Sequence, residues 1–300
     1  MIKIYGLGNA LIDVQISINE EDLKKINIPK DSMRHISAKE RDQLLNEYRA
    51  HILNFESGGS IANTLFSANE YGCETYFGCS LGNDDNGKMF LNGFTDTKHT
   101  NVINQSLSPT GICLIFITPD GKRTMAANLG ANKDLSLSCI KEEYLRSSDW
   151  LIFDSYLLST KNGFVVAKKA IEIAQSSKLQ ICFGLGDISL IKLNKQKIKW
   201  LLSQEIDYIV GNRNEFEEFI KFFPNSKTSK LITLDSKGAR LNNIHVNAPK
   251  IKSINSNGAG DALLGVFIAN LQKNGEEKSL KESVKYASSL CLTIVSRFKK

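Results

Sequence analysis

The chain has 300 residues, 42% hydrophobic and 23% charged, with a net charge of +6. That length suits two small domains or one large α/β domain with an insertion, and the composition suits a soluble, globular core. Lysines are spread along the chain. The densest run, KLNKQKIKW (192–200), lacks the aromatic interleaving of a nucleic-acid stripe and reads as a solvated helix face. No nucleic-acid partner is therefore expected, and the mild positive excess suits an anionic substrate.

The six cysteines, at 73, 79, 113, 139, 182 and 291, form no C-x-x-C, and no histidine cluster completes a zinc set. The opening MIKIYGLGNALIDVQ carries Asp13 too early for a signal peptide's apolar region. No run reaches the ~18 apolar residues of a membrane span. The expectation is a reduced, cytoplasmic protein with no membrane partner.

In chain order, IKIYGLG (2–8) predicts the first strand, and VQISI (14–18) and MRHIS (33–37) predict short strands around a polar helix. KERDQLLNEYRAHI (39–52) predicts a helix, and SIANTLFSANEYG (60–72) another that stops at Gly72. TYFGCSLG (75–82) reads as a buried strand. PTGICLIFITPDGKRTMAANL (109–129) reads as a hairpin turning at PDGK. After residue 130, strand-like WLIFDSY, LQICFGLG, DYIVGN and KLITLD alternate with helical segments such as GFVVAKKAIEIAQSS and NEFEEFIKFF. Such alternation predicts an α/β fold, its mostly parallel central sheet covered by helices on both faces. The early strands and the hairpin fit that core less well and are assigned to a small β lid. The expected division is 1–13, 38–97 and 129–300 in the core, with 14–37 and 98–128 in the lid.

Three glycine-rich stretches mislead. GLGNAL (6–11) has Leu11 where a dinucleotide fingerprint needs its third glycine. GNDDNGKM (82–89) has phosphate-loop spacing. Met89, however, replaces the Mg²⁺-binding Ser or Thr, and Asp84 and Asp85 would repel phosphates. It predicts a surface turn. GLGD (184–187) only ends a strand.

NGAGDALLGVFIANL (257–271) is different. Its apolar residues lie almost all round a helix, which places that helix in the core. Its N-terminus falls at the Gly-Ala-Gly-Asp turn, where unbonded amides and the positive end of the macrodipole can face an anion. Alone, Asp261 reads more readily as an acid stabilising the first turn than as a working residue. Other residues shift that reading. ESGGSIANTLFSANEYG sets two glycines ahead of a helix bearing Asn63; GNALID offers Asn9 and Asp13 beyond the first strand; GNRNEF adds Asn212 and Glu215 after another. Short amides and carboxylates suit neighbouring hydroxyls, and the carboxyl edge of a parallel sheet is where ligands bind.

On these residues the chain resembles the ribokinase-like (PfkB) family of carbohydrate and nucleoside kinases over nearly its whole length. GGSIAN and NGAGDALLGVF match the two family signatures, and GNDDNGKMF fits the family's G-x-D-x-x-G-x-x-F turn. Within the family it is most similar to adenosine kinases, through GLGNALID, TYFGCSLG, PTGICLIFIT, RTMAANLGAN and Asn257.

The resemblance implies a ribokinase-like fold and ATP-dependent phosphorylation of a nucleoside 5′-hydroxyl, with adenosine first. A sugar kinase of ribokinase or fructokinase type and a catalytically weak nucleoside-binding protein are the alternatives. Asp261 would be the general base, and the amides of Gly258, Ala259, Gly260 and Asp261 the anion hole. Asn9, Asp13, Gly58, Gly59, Asn63 and Asn257 would hold the substrate. Asn212 and Glu215 would organise Mg²⁺, Glu215 through water. Thr233 and Gly238 would lie near the ATP phosphates.

Tyr156 matches a base-stacking aromatic, whereas Ser189 stands where another would be. Phe116, Met125 and Leu129 could form an apolar wall from the lid. Arg123 could reach a phosphate or simply solvate the lid. Asn255-Ser256 replaces the family's Asp-Thr, so a monovalent cation is expected to bind weakly or not at all. The chain would be a monomer, or a homodimer joined at a lid edge.

Overall fold

The computed structural model describes residues 1–94 and 98–293. Runs rich in β-branched and aromatic residues become strands. In chain order these are β1 (Lys3–Leu7), β2 (Leu11–Ser17), β3 (Met33–His35), β4 (Ile52–Gly58), β5 (Glu74–Gly82), β6 (His99–Ser106) and β7 (Gly111–Ile117). There follow β8 (Arg123–Asn128), β9 (Trp150–Asp154), β10 (Gln180–Gly184), β11 (Tyr208–Asn212), β12 (Ser229–Thr233), β13 (Ala239–Leu241) and β14 (Ile244–Val246). A 9-stranded sheet runs β14-β13-β12-β11-β10-β9-β1-β5-β6, and a 5-stranded sheet runs β3-β8-β7-β2-β4.

From β12 to β6 every neighbouring pair in the large sheet is parallel, and β13 and β14 add an antiparallel edge. Parallel strands need crossover connections, so helices cover both faces. On one face the helices Ser60–Glu70 and Ala259–Leu290 bring Ile61, Leu65, Leu263 and Phe267 into a core with Ile4 and Phe77. On the other, Lys161–Ser176 and Arg213–Phe222 bring Val166, Ile171, Phe216 and Phe219 together with Tyr5, Leu7 and Phe153. The chain continues from β1 toward β5 on one side and from β9 toward β12 on the other. That reversal opens a crevice at the carboxyl ends of β1 and β9.

The small sheet alternates with period two. Ile12, Val14, Ile16, Leu114, Phe116 and Ala126 join the main core with Leu44 and Tyr48. Cys113, Ile115 and Ala127, with Leu11 and Met125 against them, form a separate cluster. Phe116 therefore does not share a wall with Met125. It meets Tyr48 edge-on at 5.8 Å between ring centroids, because neighbours along a strand face opposite sides.

Sheet membership departs from the expected division at three places. β2 starts at Leu11, so Leu11–Asp13 already lie in the small sheet. The helix expected over 39–52 ends at Glu47, and after a 3-10 turn at Arg49–His51 the chain enters β4, an edge of the small sheet. β6, expected with the lid, pairs with β5 as the edge of the large sheet, and its polar sequence HTNVINQS hides that. The expected turn at 82–89 instead starts a helix, Asp85–Asn92. Asp84 caps it, accepting from the Gly87 amide at 2.8 Å, and also binds the Thr110 amide at 2.8 Å. All six cysteines are free. Among the described residues, no helix is long and apolar enough to cross a membrane.

Candidate active site

Between the carboxyl edge of the large sheet and the inner face of the small one lies a cleft of about 910 Å³. The expected site residues converge on it, with two exceptions: Gly58 and Gly258 sit behind its wall as backbone supports. Ser189 does not line it. Ser189 is bound to the Asp187 cap of a short helix.

Asp261 lies in the first turn of the helix Ala259–Leu290. That helix crosses Ser60–Glu70 so closely that a Cβ at Gly265 would stand 2.2 Å from the Thr64 carbonyl oxygen. The crossing brings Ser60 Oγ to donate to Asp261 Oδ1 at 2.7 Å and Asn63 Nδ2 to donate to Oδ2 at 3.3 Å. Burial pushes the Asp261 carboxyl up to about 6, against the opposing pull of Ser60, Asn63 and the Arg123 charge. A carboxylate so placed is held in one orientation and takes a proton near neutral pH.

The helix starts at Gly258, with φ 73° and no side-chain cap. The Ala259 amide bonds the Ser256 carbonyl at 3.3 Å, whereas the amides of Gly260 and Asp261 reach no acceptor among the described residues. A Cβ at Gly260 would meet open space. With the Gly258 amide, which also reaches no acceptor among the described residues, these two are the part of the expected anion hole that stands free. The buried Asn257 Nδ2 also has no partner among the described residues.

The paired glycines have separate reasons. A Cβ at Gly58 would fall 2.2 Å from Asp13 Cγ, and Gly59, at φ 105°, lies against the Asn9 carbonyl oxygen. Only glycine lets β4 pass beneath the Asp13 carboxyl and turn into the helix that carries Ser60 and Asn63. The loop after β1 is fixed by Asn132, which the sequence reading did not single out. Its Oδ1 accepts the Ala10 amide at 2.9 Å, and its Nδ2 donates back to the Ala10 carbonyl at 2.9 Å. Ser60 is a second such residue. The Gly-Gly-Ser sequence after an edge strand was the available signal.

At the far end of the cleft Asn212 and Glu215 form a reciprocal capping box on the helix Arg213–Phe222. Glu215 Oε2 accepts the Asn212 amide at 2.9 Å and Oε1 accepts Asn212 Nδ2 at 2.6 Å. Burial raises the Glu215 carboxyl to about 7. Among the described residues, no group of three or more His, Cys, Asp and Glu side chains could hold a metal. One carboxylate beside an amide does fit Mg²⁺ that keeps its water and binds phosphate.

Thr233 ends β12, and the Gly238 carbonyl accepts the Leu234 amide at 2.8 Å to close the following loop. Arg123 spans from the small sheet. Its Nη1 donates to Asn257 Oδ1 at 2.6 Å and its Nη2 to Ser256 Oγ at 3.2 Å, so it does more than solvate the hairpin.

The remaining wall holds Met125, Leu129 and Tyr156, whose hydroxyl donates to the Gly186 carbonyl at 3.1 Å. Asp154, also unforeseen, joins them at the end of β9. A carboxylate closing the apolar strand WLIF was the signal available for it.

The sequence pattern of the pfkB family carbohydrate kinases matches residues 31–299. Adenosine kinase 2 of Arabidopsis thaliana is 25% identical over 334 aligned positions, covering 96% of this chain and 93% of that protein. A probable sugar kinase from Rhizobium etli CFN 42 superposes with a TM-score of 0.92 at 22% identity, covering 99% of this chain and 94% of its own. Adenosine kinase from Sinorhizobium meliloti superposes with a TM-score of 0.89 at 21% identity, covering 99% and 95%. These superpositions establish the ribokinase-like α/β fold with its small lid sheet. With the family pattern running through most of its length, the chain belongs to the pfkB family of carbohydrate kinases, ATP-dependent enzymes acting on sugars or nucleosides.

Proposed function

We propose that the protein transfers the γ-phosphoryl group of ATP to the 5′-hydroxyl of a nucleoside, adenosine first. The observation that carries this reading is Asp261, held by Ser60 and Asn63 at a helix N-terminus whose next amides are free. In the reaction, Asp261 accepts the proton of the hydroxyl as its oxygen attacks the γ-phosphorus. The bond from that phosphorus to the bridging oxygen breaks, and ADP leaves. Positioned amides gain strength where charge develops, so Gly260 and Asp261 would stabilise the transferring group.

Asp13, Asn9 and Asn63 would hold the ribose, with Gly58 and Gly59 giving the backbone room. Mg²⁺, when bound, would offset phosphate charge, with Glu215 and Asn212 holding its water. Thr233 and Gly238 would border the nucleotide. The small sheet would act as a lid, with Met125 and Leu129 facing the base. Tyr156 favours a nucleoside over a free sugar, since a fixed aromatic face suits a stacked base. Likeness to a probable sugar kinase motivates the second reading, a sugar acceptor.

The test is a panel of nucleosides, ribose and fructose with Mg²⁺ and ATP, reading ADP release and identifying the phosphorylated product. Adenosine should be converted to its 5′-monophosphate faster than any sugar. Preference for a sugar would replace the first reading with the second. Binding without any turnover would favour a nucleoside-binding role.

A further inference from the structure

A second cavity, of about 290 Å³, shares no lining residue with the cleft. It arises from the way the large sheet ends. On one face the helix Arg213–Phe222 buries Phe216 and Phe219 against Ile209 and Ile232. β13 extends the sheet beyond that helix, and its Ala239 and Leu241 point into the opposite core. Between them Arg240, in register with Ile232, therefore turns toward the helix. Arg213, Phe216, Glu217 and Ile220 recur at helical spacing along the other side of the gap. Ile232 and Leu234 floor it from the end of β12. Ile220, 45% exposed, leaves apolar surface open at the rim.

The two arginines are what set this cavity apart. Among the described residues Arg34, Arg41, Arg123 and Arg146 all have side-chain acceptors. Arg213 and Arg240 have no hydrogen-bond or ion-pair partner among the described residues. Glu217 stands one turn beyond Arg213, the spacing at which helices pair opposite charges, and yet no ion pair forms between them. The neighbouring Glu218 is taken up by Lys192 and Lys221. A guanidinium presents a planar fork of donors that matches a carboxylate or phosphate. Two such forks over an apolar floor suit an anion with an apolar body. A bare anion would leave the floor wet, and a neutral hydrocarbon would leave the donors unused.

The position adds a consequence. Arg213 follows Asn212 and Leu234 follows Thr233, and Asn212 and Thr233 line the nucleotide end of the cleft. We propose that this cavity is a second ligand site, taking a small organic carboxylate or phosphate monoester, and that its occupancy tunes nucleotide affinity. The tuning rests on the kinase reading, whereas the binding does not.

Methyl NMR of the full chain would follow Ile220, Ile232 and Leu234 during titration with 2-naphthoate, 2-naphthyl phosphate, neutral 2-naphthylmethanol and acetate. The naphthyl anions should shift these methyls with Kd of roughly 0.1–1 mM, ordinary for about a dozen non-hydrogen atoms. The tighter of the two identifies the head group. The alcohol and acetate should each bind at least about tenfold more weakly. Arg213→Gln and Arg240→Gln should each cost about 3- to 10-fold, with Tm within about 2 °C of native because both side chains are exposed. Saturating 2-naphthoate should change the calorimetric affinity for Mg·ATP about 2- to 10-fold, and the double variant should abolish that change.

Silent methyls, equal affinity for the alcohol, or unchanged binding in the double variant would overturn the site. So would methyl shifts that follow protein concentration without any probe, which mark a second copy seated there. An unmoved Mg·ATP affinity with the site occupied would overturn the tuning. Failure to bind Mg·ATP at all would sink the kinase reading and leave the binding result standing.

Discussion

Two helices point their N-termini into the same cleft, and they are finished in opposite ways. Arg213–Phe222 is closed by Asn212 and Glu215, each side chain bonding the other's backbone. Ala259–Leu290 opens at Gly258 with no side-chain cap, and two of its first amides are left over. An N-cap is worth ~0.5–2 kcal/mol, so the second helix forgoes stability at the place where Asp261 stands. The difference teaches how to rank the residues. The closed end holds shape first, and any part in cation binding is added to that. The open end has little structural reason for its form and reads as a working surface.

The largest effect should come from the open end. Asp261→Asn should lower kcat by ~10²–10⁴-fold, the usual worth of a positioned general base. Native kcat/KM should fall as pH drops below about 6, where Asp261 takes up a proton. The sign for stability is the reverse. Its carboxyl is raised above the unfolded value, so its contribution is complete in acid and is lost as pH rises through about 6. Asp261→Asn should therefore gain Tm relative to the native protein between pH 5 and 8. Near-normal turnover in the variant would remove Asp261 from the chemistry.

Gly260→Asp sharpens the same contrast. The space beside Gly260 is open, so the side chain fits. A first-turn acid favours the helix by ~0.3–1 kcal/mol while opposing an incoming phosphate. Activity should fall ~10²–10³-fold, as when an anion-hole donor is lost, while Tm holds or rises. An active variant would mean that the open amides do not meet the anion.

Asn212→Ala attacks the closed end and should mainly cost ~0.5–2 kcal/mol of stability, read by denaturant titration. At saturating Mg²⁺, kcat should change by less than about tenfold. A far larger loss with the stability intact would break the comparison by making Asn212 a working residue like Asp261.

The smallest effect concerns position 255. Asn255 is buried and neutral, and its Oδ1 accepts the Asn257 amide at 2.8 Å. With no fixed charge there, a monovalent cation gains little attraction. Initial rates in potassium and in a bulky organic cation should agree within about twofold at equal ionic strength. Several-fold stimulation by potassium would show a cation site built from other groups. On the same logic, Asn255→Asp should create the dependence.

What could be read from the sequence follows from what the chemistry demands. Anion and hydroxyl sites at element ends need glycines, short amides and carboxylates in fixed order, so GGSIAN and NGAGD stood out, as did the buried parallel strands. The edges were harder. β4 and β6 each bury only part of a face, and their apolar signal is correspondingly thin. Phe116 faces away from Met125, and the continuous apolar run CLIFI conceals which residues share a face. Ser60 and Asn132 act across helix and loop crossings that no local spacing encodes. Asp154 reads as an ordinary strand end, since the run WLIF alone carries no sign of its place in the cleft wall.

The fit of Gly58 beneath Asp13 also governs how such a chain can change by descent. A methyl at 58 has no room while the acid remains, since its carbon would fall 2.2 Å from Asp13 Cγ. The two positions are distant in sequence but sterically coupled. A lineage that drops the acid first releases the glycine. One that drops the glycine first must pass through a chain whose Asp13 carboxyl is pushed from its place. History at this pair therefore has a direction, and a branch retaining glycine opposite a small neutral residue preserves the halfway step.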